Sequence, residues 1–106
     1  MNHHMKLNPR PFAQIKRGEK TVELRLNDEK RRALRVGDTI TFTEIGTGET
    51  LPVTVTALHP FESFADLFAA LGTDLCGGSV DMDAYYSPEA QKKWGVLGIE
   101  LVVQIG

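Results

Sequence analysis

The residues GEKTVELR, positions 18–25, contain the clearest structural signal in the chain. Thr21, Glu23 and Arg25 alternate with Val or Leu at the even positions of 22–26, which is the period of a β-strand with one apolar face. Such a strand buries its Val and Leu side chains and presents Thr, Glu and Arg to whatever lies opposite. Opposite charges two residues apart are not needed to form a sheet. They indicate either a functional cleft or a solvated ion pair on an exposed strand.

The composition is typical of a single globular domain. The chain has 106 residues, of which 42% are hydrophobic and 25% charged. A chain of this length and composition can form one hydrophobic core without disulfides or a structural metal. Its single cysteine, Cys76, excludes an internal disulfide and fits a reducing compartment. No apolar run approaches the roughly 18 residues of a membrane span, and the first residues lack a signal-peptide pattern. We therefore expect one cytoplasmic domain over residues 1–106, with residues 1–4 either a tag remnant or a flexible lead-in.

Charge is unevenly distributed along the chain. The net charge of −2 argues against a general polyanion-binding protein. Residues 16–35 contain eight basic and four acidic side chains, a net charge of +4, which leaves −6 for the remainder. A local basic zone of this kind can hold a phosphate but does not form a long groove for a nucleic-acid backbone. The alternative is a solvated helix face on which these charges pair with one another.

Short helices and strands alternate along the sequence. Capping residues, prolines and amphipathic runs predict helices at residues 9–17, 28–34, 64–71 and 88–94. Alternating or apolar runs predict strands at residues 5–7, 21–26, 39–44, 51–58 and 96–105, and residues 73–80 read as a loop. Pro52 indicates an edge strand or the start of a strand, and the apolar strand 96–105 is expected to run centrally. This pattern favours an α+β fold with a small β-barrel or strongly curved sheet.

Four stretches match one known pattern: GEKTVELR (18–25), NDEKRRALRVGDTITF (27–42), FESFADLFAAL (61–71) and YYSPEAQKKWGVLGIEL (85–101). They contain Gly-x-Lys-x-x-Glu-x-Arg followed by a Gly-Asp turn. On these residues the chain resembles the activating-signal-cointegrator homology (ASCH) domain family, over nearly its whole length. The resemblance implies a PUA-like fold, a small mixed β-barrel of about five strands with short helices at its mouth. It also favours native histidines at positions 3 and 4.

The resemblance implies a cleft that holds RNA or a nucleotide base, and we expect this charged cleft to recognise a pyrimidine base, either unmodified or modified. There, Glu23 would accept a hydrogen bond from an exocyclic amino group such as cytosine N4. Arg25 would orient Glu23 or bind a phosphate bidentately, and Lys20 would place a point charge beside a phosphate or carbonyl oxygen. Tyr85 and Tyr86 are candidates for stacking on an unstacked base, with one of them facing the cleft and the other packing.

The alternative function is a small hydrolase. One branch of the family resembled hydrolyses N4-acetylcytidine with a lysine, a threonine and a glutamate, and other members resemble ribonucleases. Lys20 matches the lysine, whereas Glu23 occupies the position of the threonine nucleophile and Thr21 lies two residues away. No residue matches the branch's glutamate. Chemistry here would use Glu23 to activate water, Lys20 to stabilise the oxyanion and Thr21 as the nearby hydroxyl, in an amidohydrolase or ribonuclease.

A third possibility is an interaction module in which the acidic loop 81–83 and the basic helix are partner surfaces. A cleft lined only by mutually satisfied ion pairs would favour it. We expect Trp94 to pack in the core under the last helix, and Cys76 to be structural rather than a nucleophile. No cofactor and no metal are expected, because no zinc-like spacing joins His3, His4, His59 and Cys76.

Overall fold

A five-stranded mixed sheet forms the body of the molecule. The computed structural model describes residues 1–78 and 81–104. Its strands are β1 (Asn2–Leu7), β2 (Val22–Leu26), β3 (Thr39–Glu44), β4 (Thr50–Phe61) and β5 (Val96–Val103). Their order is β1-β3-β4-β5-β2, with β1 parallel to β3 and every other pair antiparallel. The sheet curls into a half-barrel, which confirms the predicted α+β, PUA-like fold and leaves β1 and β2 as its edges.

Short helices connect the strands: α1 (Pro9–Lys16), α2 (Glu29–Arg32), α3 (Phe64–Leu71) and α4 (Pro88–Trp94). Ser63 and Ser87 cap α3 and α4, because each hydroxyl accepts a hydrogen bond from a backbone N–H of the first turn. These helices are confirmed residue for residue, whereas α2 is shorter than the predicted 28–34. Two 3-10 turns, Asp74–Cys76 and Met82–Ala84, follow α3. Residues 79 and 80 of the predicted loop 73–80 lie outside the described residues.

Where each strand begins and ends is set by the neighbouring strand with which it pairs. β1 begins at Asn2, earlier than predicted, because it pairs with β3 along its whole length. β4 continues to Phe61 because its second half pairs with β5. Pro52 pairs with β3 near the start of a strand that lies mid-sheet, so the edge alternative is wrong and the strand-start alternative holds. β5 lies between β4 and β2, which confirms its central position. Ile105 lies outside the described residues.

The hydrophobic core consists of two clusters on the two faces of the sheet. The first fills the inside of the half-barrel with side chains of β1, α1, β3, β4 and β5. The second lies between the outer face and α3, and it includes Val22 and Leu24 of β2. Glu23 and Arg25 instead lie opposite Ile99 and Leu97, which belong to the first cluster. Because cross-strand neighbours share a face, the charged side chains of β2 point into the half-barrel.

Trp94 does not pack in the core. It is half-buried at the end of α4 and belongs to neither cluster. The Arg32 guanidinium lies 5.7 Å and Lys93 Nζ 4.8 Å from its ring centroid. Arg32 also donates a hydrogen bond to the Trp94 carbonyl at 3.2 Å. The core-packing prediction is wrong because these surface cations hold the ring where α4 ends.

The two adjacent histidines face different surroundings. His3 Nε2 lies 2.8 Å from Asp38 Oδ2, whereas His4 is exposed. Within residues 1–78 and 81–104, no three His, Cys, Asp or Glu side chains group closely enough to hold a metal ion. None of the helices described is long and apolar enough to cross a membrane.

Candidate functional site

The open end of the half-barrel contains a cavity of about 470 Å³. This volume falls within the usual range of small-molecule sites. The corner between β1 and α1 forms one wall, and the two 3-10 turns with the residues that follow them form the other. The floor consists of three charged side chains, one from the turn before β2 and two from β2 itself: Lys20, Glu23 and Arg25.

Glu23 lies at the centre of this floor and is only 4% exposed. Its Oε1 lies 3.1 Å from Lys20 Nζ and accepts a hydrogen bond from the Leu24 N–H at 3.2 Å. Its Oε2 lies 3.0 Å from Nε and 2.9 Å from Nη2 of Arg25. Four donor groups therefore surround the carboxylate: the Leu24 N–H and Arg25 Nε donate hydrogen bonds, and Lys20 Nζ and Arg25 Nη2 make ion-pair contacts. The alternative of a solvated ion pair on an exposed strand is wrong, because α1 and the 3-10 turns cover this face of β2.

The charge state of Glu23 follows from its partners. Burial by itself would raise the pKa of its carboxyl. The charges of Arg25 and Lys20, with their hydrogen bonds, outweigh burial and hold the pKa below its ordinary value. Glu23 is therefore ionised at neutral pH, and a carboxylate of low pKa is a weak general base. Its geometry suits it to holding two cations in place.

Lys20 and Arg25 retain donors that Glu23 does not use. Arg25 Nη2 also donates to the Lys6 carbonyl at 2.8 Å. Within the described part of the chain, Arg25 Nη1 and the two remaining protons of Lys20 Nζ have no hydrogen-bond partner. Both side chains line the cavity. The three-residue floor thus carries a formal charge of +1 and offers N–H donors, which suits anionic or carbonyl oxygens.

Lys20 reaches this floor from a turn rather than from the strand. Strand alternation would place an even-numbered residue on the outer face with Val22. The carbonyl of Gln14 accepts hydrogen bonds from the N–H groups of Glu19 and Lys20, at 2.9 and 3.1 Å, and so folds the chain back on α1. β2 begins only at Val22, which leaves the Lys20 side chain free to turn into the half-barrel.

Thr21 does not line the cavity, unlike the other predicted site residues. Its N–H donates to the Leu75 carbonyl at 2.9 Å, and its carbonyl accepts from the Leu101 N–H at 2.9 Å. These contacts tie the residue between a 3-10 turn and β5. The structure therefore brings Lys20, Glu23 and Arg25 together and leaves the Thr21 hydroxyl outside the group.

Both tyrosines line the cavity. Tyr86 is half-buried, and its ring stacks on Phe64 with centroids 6.0 Å apart and planes at 21°. Burial raises the pKa of the Tyr86 hydroxyl, with a smaller opposing effect of Arg25. Tyr85 is 60% exposed. The expectation that only one ring faces the cleft is wrong, since Tyr86 both packs on α3 and borders the cavity.

Sequence reasoning missed the wall that α1 supplies. Asn8, Arg10 and Gln14 line the cavity from this side. Asn8 precedes the first turn of α1 but makes no side-chain capping hydrogen bond, so its amide is not used by the helix. Only the Asn-Pro helix start was visible in the sequence, and it carries no information about which way these side chains point.

The opposite wall depends on a close approach at Gly77. The Gln14 side chain donates a hydrogen bond to the Gly77 carbonyl at 3.1 Å. A Cβ at Gly77 would lie 2.7 Å from Gln14 Oε1 and 3.1 Å from Lys20 Cδ, and the residue has φ +88°. Beside it, Cys76 is 1% exposed, and burial raises the pKa of its thiol. A neutral, buried thiol supports the structural interpretation of this cysteine.

Comparison with known proteins identifies the family of the chain. A family model described as the ASCH domain matches residues 5–104. The hypothetical protein PH0355 is 31% identical with a TM-score of 0.87, covering 98% of this chain and 100% of that one. Protein PF0455 from Pyrococcus furiosus is 31% identical with a TM-score of 0.78, and both chains are covered in full.

A third solved structure resembles this chain in its fold alone. A variant of ZmASCH from Zymomonas mobilis is 15% identical with a TM-score of 0.65, covering 94% of this chain and 66% of that one. No curated protein matches the sequence. The family match confirms the resemblance drawn from residues 18–25 and the three later stretches.

Proposed function

The chain belongs to the ASCH domain family, and from this premise we propose that its cavity binds RNA or a nucleotide through a pyrimidine-like base and its attached phosphate. One observation carries the proposal. Lys20 and Arg25, held by the fully bonded Glu23, direct unused N–H donors into a cavity of about 470 Å³. Nucleotides combine acceptor oxygens with a flat ring, and this cavity offers donors on its floor and tyrosines on one wall.

The charges around the cavity favour an anionic ligand. The charged residues that line it comprise four cations and two anions, a net charge of +2: Lys6, Arg10, Lys20, Arg25, Glu23 and Asp81. The whole protein carries −2, so the residues around this opening are more positive than the rest of the chain. A concave surface of one sign raises the local concentration of an oppositely charged ligand.

The tyrosines supply a surface for the ring of a base. Tyr86 is fixed by its stack on Phe64, and Tyr85 stands exposed at the rim. Base–aromatic stacking contributes about 1–3 kcal/mol per base and tolerates different bases. The expected hydrogen bond from cytosine N4 to Glu23 has no support in this geometry, because four donors already surround the carboxylate.

The hydrolase alternative has less support. Glu23 has a lowered pKa and is surrounded by four donor groups, Thr21 lies outside the cavity, and Cys76 is a neutral buried thiol. A third alternative was an interaction module without a small ligand. It would be favoured by a cleft whose ion pairs satisfy one another completely. Lys20 and Arg25 keep unused donors toward the cavity, which favours a small ligand over that alternative.

The test is a titration of isotope-labelled protein with CMP, UMP and a short single-stranded RNA, followed by NMR. We expect amide shifts that saturate at Lys20, Glu23 and Arg25, and a smaller response in a Tyr85→Ala variant. Arg17→Gln removes a charge outside the cavity and should leave the shifts unchanged. The absence of any shift around β2 at millimolar ligand would overturn the proposal. Release of product from N4-acetylcytidine or RNA in the same samples would instead support the hydrolase.

A further inference from the structure

We propose that the cavity binds its ligand in one orientation, with a terminal phosphate inward against Lys20 and Arg25 and the base outward against Tyr85 and Tyr86. The inference rests on the proposed function and narrows it. It names the ligand as a nucleoside monophosphate, or an RNA end that carries a phosphate monoester, rather than a nucleoside or the interior of a strand.

The first support is the chemistry of the floor. Glu23 is the acidic group there, and its oxygens already contact Lys20, Arg25 and the Leu24 N–H. What remains toward the cavity is N–H donors alone. A base edge placed on this floor would bring N–H or NH₂ groups that find no free acceptor, and an unmade buried hydrogen bond is costly. Phosphate oxygens only accept, so every contact with the floor can be satisfied.

The second support is the separation of charges between the two walls. Lys6 and Arg10 belong to the β1–α1 wall, beside the floor. Asp81 is the acidic group on the opposite wall, and it directly precedes the 3-10 turn that leads to Tyr85. A phosphate at the tyrosine side would therefore face a carboxylate with no cation beside it among the described residues of that wall, whereas a phosphate on the floor would meet Lys20 and Arg25, which outnumber Glu23 there. The charge distribution fixes which end of a nucleotide points inward.

The third support is depth. The side chains of Lys20 and Arg25 are 9% and 14% exposed, so the floor lies well below the rim. Within this floor, Glu23 lies opposite Ile99, a fully buried residue of the first apolar cluster. The apolar core therefore blocks the inner side, and we expect the substituent of a bound phosphate to leave toward the mouth. A phosphodiester within a strand would need two such exits.

The experiment is isothermal titration of the unmodified protein with four ligands: cytidine, CMP, the dinucleotide CpC and its 5′-phosphorylated form. We expect CMP to bind at least about tenfold more tightly than cytidine, since charge-assisted hydrogen bonds to phosphate are lost in the nucleoside. Phosphorylated CpC should exceed CpC by a similar factor. Added salt should reduce both ratios, and inorganic phosphate should compete with CMP.

The outcomes separate the two proposals. Equal affinity for cytidine and CMP would overturn the inward phosphate and leave nucleotide binding standing. Equal affinity for both forms of CpC would overturn the requirement for a terminal phosphate. Failure of all four ligands to bind would overturn the proposed function itself.

Protein variants give an independent measurement. Arg25→Gln should bring the CMP-to-cytidine ratio close to one while cytidine still binds. Arg17→Gln, which loses the same charge at a site 58% exposed, should keep the full ratio. An unchanged ratio in Arg25→Gln would contradict the assignment of the phosphate to this floor. Should Arg25→Gln not fold, the four-ligand series on the unmodified protein decides the matter alone.

Discussion

Two arginine–glutamate pairs with the same spacing lie close together in the chain and end in opposite environments. Arg17 and Glu19 are two residues apart, as are Glu23 and Arg25. The first pair has an N–O distance of 2.7 Å with both side chains more than half exposed. The second has 2.9 Å, with side chains 5% and 14% exposed. Sequence spacing and bond length are thus alike, and the surrounding elements decide which pair forms a site.

The difference arises from what covers each pair. Arg17 and Glu19 belong to the turn that leaves α1, and both project into water. Glu23 and Arg25 lie on the inner face of β2, where β1, α1 and the 3-10 turns enclose them. Exposed pairs contribute little to stability, whereas a buried carboxylate depends strongly on its partners.

The largest expected effect comes from removing each carboxylate in turn. Glu23→Ala leaves Lys20 and Arg25 buried beside each other without their counter-ion. We expect the free energy of unfolding to fall by about 3–5 kcal/mol, measured by urea denaturation followed by circular dichroism. Glu19→Ala is the matched control and should give no measurable change. If Glu23→Ala and Glu19→Ala lost equal unfolding free energy, burial of the Glu23–Arg25 pair would have no effect on its contribution to stability.

A smaller effect is expected at two adjacent glycines that differ in their surroundings. Gly77 and Gly78 have φ of +88° and +106°, so alanine at either costs about 1–3 kcal/mol of backbone strain. A Cβ at Gly77 also meets Gln14 Oε1 at 2.7 Å and Lys20 Cδ at 3.1 Å, whereas at Gly78 no described atom lies within 4 Å.

We therefore expect Gly77→Ala to be the more destabilising of the two in thermal unfolding, and to weaken CMP binding by displacing Lys20. Gly78→Ala serves as the control and should keep normal CMP affinity. Identical affinities in both variants would show that this wall does not position Lys20.

The smallest effect is a difference in acid sensitivity. The folded-state pKa of Glu23 lies below its ordinary value of 4.5, so the unfolded chain binds the proton first as the pH falls. Its stabilisation is complete above about pH 4.5 and is lost as the pH falls through the lower, folded-state pKa.

Between about pH 6 and about pH 3, we expect the unmodified protein to lose more unfolding free energy than Glu23→Gln does. Asp38 and Glu44 also have lowered pKa values, but they are common to both proteins, so the difference isolates Glu23. Parallel stability–pH curves would contradict the buried, cation-held state of this carboxylate.

The elements with local signals could be predicted from the sequence. Ser63 and Ser87 cap α3 and α4 as expected, and the alternation of 39–44 gives β3 with the same bounds. The shared face of Glu23 and Arg25 also follows from strand periodicity, because it depends on neighbours in the chain alone.

The burial of the site could not be predicted in this way. Arg17–Glu19 and Glu23–Arg25 look equivalent until the long-range partners are known, and these come from α1, β1 and the turn at Gly77. Lys20 was placed by family resemblance, since alternation alone would have put it on the outer face. A wall built by residues far apart in sequence, such as Gln14 with Gly77, has no local signature.

Among the described residues, the edge strands β1 and β2 share no backbone ladder, and side chains from β2 and α2 contact β1 instead. Arg25 donates to the Lys6 carbonyl at 2.8 Å, and Lys30 of α2 donates to the His4 carbonyl at 3.0 Å. Rotamer changes of exposed side chains take picoseconds to nanoseconds, whereas separating paired strands breaks a whole ladder. The spacing between the two edge strands therefore depends on two side-chain contacts, and a rotamer change of the exposed Lys30 breaks one of them without separating any strand pair. Because Arg25 Nη1 has no hydrogen-bond partner among the described residues, a ligand can bind this guanidinium while Nη2 keeps the Lys6 carbonyl, so binding leaves the contact between the edges intact.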